Sequence, residues 1–474
     1  MSSRLLTWAI VLAYLAFIFF KGVGKAKKVQ GVDDFLVAGR NVGWFFLFCT
    51  MGASVIGGGA SVGAIGRTFD WGVLMLLISS GWYLHFIFSG LLVAPVFRRA
   101  KLYTVAGYFG LRFGEGPRFV VMVLSLLFSV FIIAAQMAAF GSVLSAILPE
   151  FANSTLVLIG CIVIGGLAVV IYSTAGGLLA VIQTDVYQFI ILLAGLVITL
   201  LSCVPELVQS WGHVRTQLPP TFFALEGGKG WGFAITTFLA FLLGETFAPG
   251  YATRYCVGRS IRETRLGIAG VGAFLALVFP AILFFIALYG RLNFPNANPQ
   301  QVLPLVVNKL NSPIVAGMMV GALLMAVMSS ADSALNSATA VFVKDLFEHQ
   351  LGWQAEDKKM LRLARVCTAG LGSVAIIVAA TWRDVIDLLL FTYHLWAPAI
   401  IVPVCVGIFS KSSSPAQSRN ILVTMVVAIA ATLAYRLSPL KARFDPSVFG
   451  VAVSLAVFTV LGLGTRLMAR AGRA

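Results

Sequence analysis

Acidic residues are scarce in this chain: 18 of its 474 positions are Asp or Glu. Histidine occurs four times and cysteine six times. So thin a supply of titratable groups leaves little from which to build acid–base or metal chemistry. There is no His-Glu-x-x-His string and no paired Gly-Asp motif, and of the histidines only His85 and His394 fall in apolar stretches. An enzyme is therefore not expected. Cys49, Cys161, Cys203, Cys256, Cys367 and Cys405 form no close metal-ligand pair, and they read as small hydrophobic residues. Charge of either sign is scarce, at 11% of residues, which no soluble domain of this length shows.

What the chain does have is hydrocarbon. Hydrophobic residues make up 59% of it and its mean hydropathy is +0.95. Thirteen apolar stretches are long enough to span a bilayer. They run approximately over 5–20, 43–66, 72–97, 119–148, 155–182, 185–204, 232–250, 267–290, 313–347, 363–381, 384–409, 420–435 and 446–464. The first lacks a cleavage site and is followed by Lys21, Lys25, Lys27 and Lys28, so it reads as a retained helix. The net charge of +16 does not point to nucleic acid. With the N-terminus outside, 24 of the 34 Lys and Arg fall in inner loops, at the inner ends of the adjoining spans or in the C-terminal tail. That is the positive-inside asymmetry, and it puts the C-terminus in the cytoplasm.

Three strings stand out. The first is Gly52-Ala53-Ser54-Val55-Ile56-Gly57-Gly58-Gly59, inside the second apolar stretch. Three successive glycines weaken a helix by about 1 kcal/mol each relative to alanine. Unwinding there frees the carbonyls of Ala53 and Ile56, which at membrane depth need protein, water or an ion; glycines used only for close packing are the competing reading. A similar interruption, Gly244 to Gly250, lies five helices later and carries Glu245, Thr246 and Phe247. Paired interruptions of this kind point to an inverted repeat around a central site. The second string is Tyr172 to Gln188, in which Asp185 stands at the expected start of the sixth helix, where an acid is also a common dipole partner.

The third is Met328-Ser329-Ser330-Ala331-Asp332-Ser333. At about 100° per residue, Ala326, Ser329, Ser330, Asp332, Ser333, Asn336 and Ser337 share one face of the ninth helix. Helix packing accounts for the small residues. It does not account for Asp332, since a carboxylate at mid-membrane costs roughly 2.5–3.5 kcal/mol and calls for a partner such as a hard cation.

Together with Asp33 to Arg40 and Gly107 to Gly114, these strings closely resemble the sodium:solute symporter family over nearly the whole chain. The resemblance implies an all-α integral membrane protein with a LeuT-type fold of two inverted five-helix repeats. The chain then divides into 1–42 (an extra helix and first inner loop), 43–204 (first repeat), 205–231 (outer loop), 232–409 (second repeat) and 410–474 (two more helices and a short tail). It implies a sodium site made by Ala53, Ile56, Ala326, Ser329 and Ser330, and a second cation or proton site made by Asp185, Asp332 and Ser333. Two carboxylates facing one small site raise the pKa of one of them, so this pair is expected to hold an extra sodium or share a proton.

The expected activity is sodium-coupled import of a small organic solute by alternating access, with sodium as the coupling ion. The expected partners are that solute, sodium ions and the bilayer of the cell (inner) membrane, with no nucleic acid and with a monomer as the unit. The strings look most like the choline transporter branch. The positions where that branch carries tryptophans hold Val55, about Ile133, and Ala248, so its aromatic cage is missing. Sugars are disfavoured because Val55, Gly59 and Ala60 offer no polar side chain of the kind that meets hydroxyls. An amino acid or monocarboxylate is favoured. Gly57, Gly58, Gly59, Glu245, Thr246, Phe247, His85 and Tyr393 are the candidate solute contacts. Glu245 is suited to an amino group or else paired with Arg254, and His394 is a further candidate. The alternatives are a membrane sensor working through a partner, less expected because no signalling module follows the last helix, and choline-like or proton-coupled uptake.

Overall fold

The computed structural model describes residues 6, 9–13, 16, 17, 31–146, 154–245, 247–409, 414–439 and 444–471. Among the described residues, ten helices are long and apolar enough to cross a membrane. Two bent pairs bring the number to twelve: α1 (Trp44–Val55) with α2 (Gly59–Trp71), and α7 (Trp231–Gly244) with α8 (Pro249–Val257). The others are α3 (Leu74–Arg99), α4 (Glu115–Ser145), α5 (Thr155–Ala175), α6 (Gly177–Gln209), α9 (Ile261–Asn293) and α10 (Pro313–Gln350), then α11 (Asp357–Thr381), α12 (Val385–Gly407), α13 (Pro415–Leu437) and α14 (Pro446–Gly464). Twelve of the thirteen expected spans therefore fall on these elements. The first, 5–20, lies largely outside the described residues.

The two bends have different local causes. Between α1 and α2 the axis turns by 55°. The Gly58 N–H leaves the helix ladder and donates to Gln136 Oε1 at 2.7 Å, and a wider π-type turn restarts the helix with Gly63 N–H to Gly58 O at 2.7 Å. Close packing also requires glycine here: a Cβ on Gly57 would lie 2.1 Å from Ser330 Oγ. The two readings of this string are compatible, because the chain bends where α10 presses against it. Between α7 and α8 the axis turns by 45°. There Pro249 opens α8 with no N–H to donate, and Phe247 takes a left-handed φ of 63°.

Burial sorts the spans into core and rim. In α10, 83% of the apolar window lies inside the protein and in α12 78%, against 17% in α14. α10 packs on α4, α5 and α6 and against both bent pairs, which explains why one whole helix is built from Ala, Ser, Gly and Met. Where the chain enters α1 and leaves α8, Val42 N–H donates to Val257 O at 3.0 Å and Arg259 N–H to Val42 O at 2.8 Å. This bridge ties the ends of the two bent pairs together, and the described residues contain no strand beyond it.

Candidate ion and solute site

The end of α1 meets the serine face of α10. Ser330 Oγ stands 2.8 Å from the carbonyl of Ser54 and 3.1 Å from that of Ala326. The α1 ladder ends with Ile56 N–H on Gly52 O, and among the described residues no backbone N–H closes on the carbonyls of Ala53 or Ile56. Ser333 Oγ donates to Ser329 O at 2.6 Å and lies 3.2 Å from Ser54 Oγ. Carbonyl and hydroxyl oxygens from two helices thus converge in a buried space, the donor chemistry of a hard cation site.

One basic side chain stands beside it. Arg254, on α8, is completely buried and reaches Asp185 at 3.5 Å. Its Nε donates to Thr50 Oγ1 at 3.1 Å, its Nη1 to Gly250 O at 3.2 Å, and its Nη2 to Ser333 Oγ. Asp185 also accepts from the hydroxyls of Thr50 and Ser329. It does not start a helix: α6 begins at Gly177, whose φ is 57°, and Asp185 lies about two turns further on. A cap or dipole role is thereby excluded. Asp332 turns the other way and accepts from Ser173 on α5. The two acids read as one pair thus have separate hydrogen-bond partners, and it is Arg254, not Asp332, that contacts Asp185. Arg254 was expected only as an alternative partner of Glu245, and it pairs with Asp185 instead. Its apolar successors Tyr255, Cys256 and Val257 mark it as lying inside a span.

A narrow cavity with about 50 Å³ of free space adjoins these groups, and Ser54, Gly59, Gln136, Ser330, Ser333 and Glu245 all border it. Glu245 is buried and accepts from the hydroxyl of Tyr393, which in turn accepts from Trp82 Nε1 at 3.2 Å. Glu245 and Tyr393 are therefore brought together. His85 is buried with its Nδ1 2.6 Å from the Trp82 carbonyl, and it is not among the residues that border the cavity. Phe247 turns away to pack on Phe97, with ring centres 5.8 Å apart. Thr246 lies outside the described residues. His394 sits elsewhere, 3.0 Å from Arg436 and 3.5 Å from Asp445. Val55 and Ala248 do border the cavity, without aromatic rings, but Trp82, Phe128 and Tyr251 border it as well. The aromatic residues are thus present at positions other than those expected. The Gly59-Ala60-Ser61-Val62-Gly63 string has the spacing of a nucleophile elbow, yet it lies within a buried helix and Ser61 Oγ bonds back to Gly57 O at 2.6 Å.

Two bent helices, a small-residue core helix and a central cavity between them define a multi-pass membrane protein with the LeuT-type inverted-repeat fold. The family follows from comparison with known proteins. Residues 35–415 match the model of the sodium:solute symporter family, and the chain belongs to that family. It is 28% identical over 383 residues to "High-affinity choline transporter 1" of Caenorhabditis elegans, covering 77% of this chain and 64% of that one. It thus spans just under two thirds of that relative's length. It is 25% identical over 391 residues to "High-affinity proline transporter PutP" of Bacillus subtilis, covering 78% of this chain and 80% of that one. The structure of a Na+-coupled sialic acid symporter in a substrate-bound outward-open state superposes with a TM-score of 0.77 at 22% identity, over 96% of this chain and 98% of that one. The family and these relatives are transporters, not enzymes.

Proposed function

We propose that this protein is a sodium-coupled symporter that imports a small organic solute across the cell membrane by alternating access. The observation that carries the reading is the approach of Ser330 Oγ to the Ser54 and Ala326 carbonyls, beside the carbonyls of Ala53 and Ile56, on which no backbone N–H among the described residues closes. Sodium binds from outside between the bent α1–α2 pair and α10, held by Ala53, Ile56, Ala326, Ser329 and Ser330. These five neutral oxygens suit a monovalent ion that must be released again. To join the set, the Ser329 hydroxyl swings away from Asp185. The repeats run over 43–204 and 232–409, with the N-terminus outside and the C-terminus in the cytoplasm.

The group Asp185, Asp332 and Ser333 is read as a proton-linked site. The Arg254 guanidinium already supplies positive charge to Asp185 and Ser333, which opposes a second sodium there. Asp332 is the member left to carry a proton. Coupling requires that sodium favour the outward, solute-competent state, since an ion bound equally by both states shifts nothing. The free space of about 50 Å³ holds only a few water molecules, so solute entry needs the bordering side chains to part. A proteoliposome uptake assay tests the reading. A transporter accumulates solute under an inward sodium gradient and not under a potassium one; a sensor binds solute without accumulating it.

A further inference from the structure

Resting on that reading, we infer that the solute carries a positively charged amine, seated against Glu245 and walled by Trp82, Phe128 and Tyr251. Glu245 ends α7 at the bend and borders the cavity. Tyr393 donates to its carboxylate, and Trp82 Nε1 donates in turn to the Tyr393 hydroxyl. Glu245 takes part in none of the ion pairs among the described residues; the nearby Arg254 is engaged with Asp185. Hydrogen bonds from neutral donors orient a carboxylate but do not balance its charge, and at membrane depth that balance decides whether it persists.

The walls suit the same occupant. Trp82 is held edge-on to Phe241 with ring centres 4.4 Å apart and fixed to the Tyr393 hydroxyl through its ring N–H. Its position is therefore set before any ligand arrives. Aromatic faces attract cations within about 6 Å of their centres, ammonium groups included. A monocarboxylate without an amine would bring a second negative charge beside Glu245, which is unfavourable in a dry site. Amino acids and quaternary amines share the chemistry required here, and simple carboxylates and sugars do not.

The test uses the purified full-length protein in detergent and thermal shifts in sodium against potassium, with matched pairs of probes. The pairs are alanine and propionate, proline and cyclopentanecarboxylate, and choline and its uncharged isostere 3,3-dimethylbutan-1-ol. The amine member of at least one pair raises the melting temperature in sodium while its amine-free partner does not, and which pair responds distinguishes zwitterion from quaternary amine. In Glu245→Gln, affinity for that probe falls about 30-fold or more, while the shift produced by sodium alone is kept, showing that the variant is folded. Equal stabilisation by the amine-free partner, no shift with any amine, or unchanged affinity in Glu245→Gln overturns the inference. The last result would mean that Glu245 only carries a proton. Loss of the sodium shift in the wild-type protein would instead overturn the symporter reading, so the two failures are distinguishable.

Discussion

Arg254 and Asp185 face each other at 3.5 Å with no exposed side-chain surface on either. They come from α8 and α6, so one pair joins the second bent helix to the helix behind the first. Breaking a buried pair leaves an uncompensated charge, which costs about 3–5 kcal/mol, whereas replacing both partners by apolar residues is often close to neutral. Arg254→Ala should therefore destabilise the protein strongly, and Arg254→Met with Asp185→Leu should recover much of the lost stability even where transport is lost. Melting temperatures of Arg254→Ala, of Arg254→Met and Asp185→Leu singly, and of these two combined check this. Additive losses in the double variant would show that the pair does not act as a unit.

Asp332 meets Ser173 rather than Arg254. Asp332→Asn keeps the shape and a hydrogen-bonding group while removing the titrating proton. Uptake in this variant should lose its pH dependence while the sodium concentration for half-maximal uptake stays within about twofold, a change of under 1 kcal/mol. A pH profile identical to the wild type would remove the proton role.

Gly57 separates glycines that matter from those that do not. Its added Cβ would fall 2.1 Å from Ser330 Oγ and 2.7 Å from Gln136 Oε1. Overpacking of this kind costs about 1–3 kcal/mol, and it pushes α1 off α10 where sodium is proposed to bind. Gly57→Ala should cut sodium-driven uptake about tenfold or more. Gly160→Ala and Gly370→Ala meet nothing within 4 Å and should change stability by about 0.5 kcal/mol or less. Comparable losses at all three positions would show that general helix flexibility, not this contact, is at stake.

Much of this fold was legible without coordinates. Long apolar runs mark twelve spans because a bilayer dictates their length, and Gly57 to Gly59 mark a bend because glycines weaken a helix. The face bearing Ser329, Ser330 and Ser333 follows from helical periodicity alone. What stayed hidden depends on partners distant in the chain. Periodicity puts Ser329 and Ser330 on one face but does not say that one hydroxyl turns to Asp185 and the other to Ser54. Nor does it say that Arg254 crosses 69 residues to reach Asp185. Trp82 was not marked as a cavity wall because it lies apart from Val55, Ile133 and Ala248, the positions from which an aromatic cage was expected. Phe247, two residues after Glu245 in sequence, points elsewhere because of its left-handed backbone.

The most direct measurement is equilibrium binding of radioactive sodium to the purified protein, with potassium as competitor. Saturable binding that potassium does not displace is expected in the wild type, and it should be lost or weakened about tenfold or more in Ser329→Ala combined with Ser330→Ala. No saturable sodium binding, or binding unchanged in that double variant, would contradict an ion seat where the bent helix meets the serines of α10.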